Sequence, residues 1–111
     1  MATTTYKVLG QNMPTTTADA NLYTVPASTS TIVSTLSVSN VTGTAANARV
    51  YVRVGAAAAA ISNALLYDVS IPANSAQAFT LGITLAATDI ITVRSSTGSA
   101  LTFQAFGTEL A

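Results

Sequence analysis

Apolar and polar residues alternate in short runs along most of this chain, and glycine, proline, asparagine and serine cut the runs before any reaches helical length. A period of two gives an extended strand one dry face and one wet face. The cleanest case is Arg49-Val-Tyr-Val-Arg-Val54, which predicts Val50, Val52 and Val54 inward and Arg49, Tyr51 and Arg53 outward. Thr31 to Asn40 repeats the pattern in its second half, with Leu36 and Val38 set against Thr35, Ser37 and Ser39.

Further strands are predicted at the short spacing of an all-β domain. Tyr6 to Leu9 is closed by Gly10, and Asn21 to Val25 stops at Pro26, which cannot donate to a ladder. Leu65 to Ile71 sets Leu65, Tyr67, Val69 and Ile71 on one side, and Gln77 to Leu81 points Phe79 and Leu81 together. Ile83 to Thr88 reads as a hairpin-like crossing ending at Asp89. Ile90 to Arg94 and Leu101 to Leu110 complete the set, the last with Leu101 and Phe103 opposite Thr102 and Gln104. Pro72-Ala-Asn-Ser75 is a turn in which Asn74 tolerates unusual backbone angles. Ala56 to Ala60 favours helix by propensity but is too short to nucleate one, so a loop with a single helical turn is expected. Met1 and its neighbours, together with an extended arm over Gln11 to Ala20, are the segments expected to be mobile.

A chain of 111 residues can bury one core, not two. The expectation is therefore a single all-β domain over residues 1–111, an antiparallel, jelly-roll-like sandwich of seven or eight strands.

Chemistry is scarce. The chain contains no Cys, His or Trp, and its only charged side chains are Lys7, Arg49, Arg53, Arg94, Asp19, Asp68, Asp89 and Glu109. Without histidine a Ser-His-Asp arrangement is impossible, and without cysteine there is neither a disulfide nor a thiolate metal site. Asp68 and Asp89 are expected to solvate the surface or cap turns. No Asp-rich run suits calcium, and the scattered glycines form no phosphate cradle. No catalytic, cofactor or metal site is predicted, and an enzyme is not expected. A net charge of zero with no basic block argues against nucleic acid. No apolar stretch is long enough for a membrane helix, and the N-terminus lacks a secretory pattern, so the Asn40-Val-Thr42 sequon is taken as chance. A neutral surface rich in Thr and Ser has little repulsion between copies, so self-association is expected. The outward row Arg49, Tyr51 and Arg53 is the candidate protein-contact face, because Arg and Tyr are enriched in interface hot spots.

Val8-Leu-Gly-Gln11, Leu22-Tyr-Thr-Val-Pro26 and Val33-Ser-Thr-Leu-Ser-Val-Ser-Asn40, with Tyr67-Asp-Val-Ser-Ile-Pro-Ala-Asn74, Leu81-Gly-Ile-Thr-Leu-Ala-Ala-Thr-Asp89 and Phe106-Gly-Thr-Glu109, resemble a small family of tailed-bacteriophage virion structural proteins. The resemblance spans nearly the whole chain and rests on turn and strand signatures. It implies a component of the particle exterior, made in the host cytoplasm, that decorates or cements the capsid. Its partners would be further copies of itself, as a homotrimer, and the major capsid protein or tail proteins. A tail, neck or baseplate protein is the alternative within that class, and a carbohydrate-binding adsorption module is the alternative outside it.

Overall fold

A computed structural model describes residues 3–80 and 82–111. The strands are β1 (Thr4–Asn12), β2 (Ala20–Thr24), β3 (Ser30–Asn40), β4 (Ala46–Arg53), β5 (Ala64–Ile71), β6 (Ala76–Phe79), β7 (Ile83–Leu85), β8 (Ile90–Ser95) and β9 (Leu101–Leu110). One sheet has the order β1-β9-β3-β6, with β7 also on β3, and the other has β2-β8-β4-β5. Every pairing is antiparallel. β1 pairs with β9, β2 with β8, β3 with β6 and β7, and β4 with β5. The chain is thus one long hairpin, its tip between β4 and β5, rolled up so that successive rungs fall in alternate sheets. That is a jelly roll, the sandwich expected from the alternation. β6 and β7 both pair with β3, at different points along it, which gives nine strands among the described residues where seven or eight are predicted. Leu81, predicted to point with Phe79, lies outside the described residues.

The core is the set of inward residues from both sheets. Leu36, Val38, Val50, Val93, Leu101 and Phe103 are fully buried, as the alternation in β3, β4, β8 and β9 requires. The predicted turn after Ile71 is present, with Asn74 at φ 53°.

Elsewhere the structure departs from the sequence reading, mostly at bulges, where an extra residue reverses the parity of a strand. β1 runs through Gly10 instead of stopping there, its register shifting between Val8 and Gly10. Asp68, at φ 57°, bulges β5, so Leu66, Val69 and Ile71 face inward while Leu65 and Tyr67 are exposed. Residues 13–19 do not project as an arm. Ser99 N–H donates to Pro14 O at 2.8 Å, and a Cβ on Gly98 would sit 2.5 Å from Thr15 O. In β4, Val54 has left the strand for a 3-10 turn and is 69% exposed, while Tyr51 is 5% exposed. The alanine segment between β4 and β5 holds two such turns, Val54–Ala56 and Ile61–Asn63. Arg53 anchors this loop by donating to Ala57 O at 2.6 Å and Ala56 O at 3.3 Å.

Candidate functional site: the outer sheet faces

Directly opposed residues in an antiparallel pair share a face, so the registers assign every side chain to the interior or to one of two outer faces. The two outer faces have different chemistry.

The outer face of β2-β8-β4-β5 holds the predicted row. Arg49 lies opposite Arg94, Tyr51 opposite Thr92 and Arg53 opposite Ile90. Like charges so placed repel unless each has its own counter-charge. Arg49 donates from Nε and Nη2 to both carboxylate oxygens of Asp68, at 2.7 and 3.1 Å. Its guanidinium also lies 4.1 Å from the centre of the Tyr67 ring, a cation–π contact. Hydrogen bonding to Asp68 raises the Arg49 pKa, and the same bonds lower that of Asp68. Arg94 lies 3.7 Å from Asp19. Arg53 donates to Asn21 and Thr92 at 3.3 Å besides gripping the loop. The predicted contact row is therefore only partly available. Arg49 and Arg53 are spent on neighbours, and Tyr51 is buried. Between them, Thr17, Asn47, Arg49, Asp68, Arg94, Ser95 and Ser96 line a groove of about 260 Å³.

Asp89 does cap a turn, as expected, but from a buried position. Its carboxylate accepts from Ala86 N–H and Gly55 N–H, both at 2.9 Å, and so ties the alanine loop to the β7–β8 turn.

The outer face of β1-β9-β3 was not singled out by the sequence. Tyr6, Thr108 and Ile32 form one row across the three strands, which Thr84 of β7 extends. Val8, Phe106 and Thr35 form the next, and Gln11, Gln104 and Ser37 the one after. Tyr6 is 82% exposed, Val8 47% and Ile32 43%. Among the described residues no charged side chain lies on this face. Lys7 and Glu109 belong to these strands but occupy inward positions at the sandwich end, where they pair at 3.3 Å. Glu109 also accepts from the Tyr23 hydroxyl, which is 2.8 Å from Thr31 Oγ1. Burial, then the bond to Glu109, pushes the Tyr23 phenol up to about 12, and the bond from Tyr23 lowers the Glu109 pKa. The signal for this face was present in the sequence as the exposed partners of inward residues. It needed the pairing of β1, β9 and β3 to become one surface.

Among the described residues no group of three or more acidic side chains could hold a metal ion, and no helix is long and apolar enough to cross a membrane. No protein-family model and no curated protein matches the chain. A chain in the structure of infectious bursal disease virus, Gx strain, is similar over 98% of this chain and 31% of its own length, at 14% identity and a TM-score of 0.49. That likeness is too slight to bear on function.

Proposed function

We propose that this chain is a structural protein of a tailed-bacteriophage particle, a capsid decoration or cement protein that acts by contact and not by turnover. The observation that carries this is the charge-free outer face of β1-β9-β3, where Tyr6, Val8 and Ile32 stand exposed in a band bordered by Thr, Ser and Gln. Burying such a face strands no unpaired charge, and each Å² of apolar surface removed from water contributes roughly 25 cal/mol. The family resemblance of the sequence and its lack of His and Cys point the same way. Its partners are the major capsid protein and further copies of itself, and many equivalent copies give avidity from individually weak contacts.

The test is to add purified chain to particles lacking it and locate its density. Copies arrayed over the shell, lost on Tyr6→Asp with Ile32→Asp, are expected. A few copies at the neck or baseplate would move the protein to the tail, and no binding would overturn the assignment. The polar groove beside Arg94 favours one further reading, a glycan-binding adsorption module. A glycan array without hits removes it.

A further inference from the structure

A sheet edge is a row of unpaired amides and carbonyls, and folded proteins ordinarily protect it. Among the described residues this sandwich has four edges, at β1, β2, β5 and the β6–β7 line. Three carry recognisable protection. β2 has five residues, a register shift between Asn21 and Tyr23, and Pro26 just beyond its end. β5 is bulged at Asp68, whose carboxylate holds Arg49. β6 and β7 are fragments of four and three residues.

The fourth edge, β1, has nine residues and no proline. Its bulge falls at Leu9, and beyond it β2 closes in so tightly that a Cβ on Gly10 would meet Leu22 O at 2.1 Å. Thr4 to Val8 lies outside that cover, and all five residues are exposed. Thr3 and Ala111 exchange both backbone hydrogen bonds, at 2.6 and 2.9 Å. Bonded and non-bonded pairs alternate in an antiparallel ladder, so Thr5 and Lys7 bond to β9 while Thr4, Tyr6 and Val8 turn their amides and carbonyls to the free edge.

We propose that two copies of this chain pair antiparallel through the Thr4–Val8 edge, about a two-fold axis at Tyr6, joining their β1-β9-β3 sheets into one. In this register Tyr6 faces Tyr6 of the second copy and Thr4 faces Val8, a set of about six backbone hydrogen bonds. A second copy fits this edge for two reasons. The edge is its own antiparallel complement when centred on Tyr6. Its one charge, Lys7, then lies opposite Thr5 rather than another lysine, and is already drawn back onto Glu109 at 3.3 Å. The exposed band of Tyr6, Val8 and Ile32 becomes continuous across the axis. Pairing of this kind goes beyond particle attachment and is separable from it, since either can occur without the other.

The absence of cysteine makes the test direct. Cα atoms of a bonded antiparallel pair are roughly 5.5 Å apart, within the roughly 4.4–6.8 Å a disulfide spans. Mild oxidation of Tyr6→Cys is expected to give a cross-linked dimer, at least about tenfold faster than Ala78→Cys on the opposite edge. In sedimentation, the parent chain is expected to be a dimer that Tyr6→Lys, which sets two ammonium groups face to face, converts to folded monomer. Equal cross-linking at both sites, a monomeric parent chain, or an oligomer of any size that Tyr6→Lys leaves intact would overturn the pairing. Ile32→Asp, on β3 and away from the β1 edge, leaves the pairing intact, so its binding to particles reports on the proposed function independently.

Discussion

On the outer face of β4, β5 and β8 each arginine finds its partner within the chain, whereas on the outer face of β1, β9 and β3 the exposed residues are uncharged, being apolar, hydroxylic or amide. Both faces belong to one neutral protein, and both are wet in the isolated chain. The difference lies in what each would lose on meeting a partner. Covering the first means desolvating ion pairs that already satisfy one another, and such pairs seldom repay that cost. Covering the second removes Tyr6, Val8 and Ile32 from water and leaves no charge behind. Electrostatic character and readiness for contact are therefore separate properties here, and the face that looks distinctive in sequence is the one already occupied with itself.

The contrast can be broken most decisively by exchanging the character of the faces. Tyr6→Asp with Ile32→Asp is expected to weaken binding to particles by about 100-fold or more, while Arg94→Ala leaves it within about threefold, both read by co-sedimentation. Comparable losses from the two would erase the distinction. The next effect concerns the backbones beneath the faces. A Cβ on Gly107 of β9 would lie 2.0 Å from Ile32 O, so Gly107→Ala is expected to cost up to about 3 kcal/mol by denaturant unfolding. Gly55, in the alanine loop, has nothing within 4 Å of such a Cβ but sits at φ +60°, so Gly55→Ala costs only about 1 kcal/mol of strain.

A smaller effect sits at the sandwich end between the faces. Tyr23→Phe leaves Thr31 and Glu109 short of a partner and is expected to cost about 1–2 kcal/mol. The folded phenol titrates at about 12 against 10 when free, so its contribution is complete below pH 10 and fades between pH 10 and 12 as the unfolded chain ionises first. The Phe variant should lack that alkaline decline. Glu109 is depressed in the folded state, so its contribution holds above the ordinary carboxyl range and is lost as pH falls through its lowered value. The smallest effect is that of salt. Binding through a face without charges should change by less than about twofold between roughly 0.05 and 0.5 M NaCl, and a steep decline would return the arginines to the interface.

Much of the fold was legible because alternation is local. β9 runs from Leu101 to Leu110 as read, with Leu101 and Phe103 inward, and Asn74 takes the positive φ that its turn position suggested. Bulges were not legible. An extra residue at Asp68 or Leu9 leaves no mark in composition, yet it reverses which side chains face out, as it does for Leu65 and Tyr67. Tyr51 departs from the alternation for a different reason. Its strand parity puts it on the outer face, opposite Thr92, yet it is 5% exposed, and cover is a tertiary fact. The uncharged face is not legible because its rows draw on β1, β3 and β9, which lie in separate parts of the sequence. Residues so distant become neighbours only when the hairpin rolls up.

The bonded pair Thr3 and Ala111 has a mechanical consequence. The two ends of the described chain leave the sandwich side by side, on adjacent antiparallel strands. Tension applied between them would pull directly along the ladder bonds and open β1 from β9 one rung at a time, beginning at Ala111. A load entering across the sheet would instead meet many rungs together. A protein built this way resists force through its faces and yields to force through its ends.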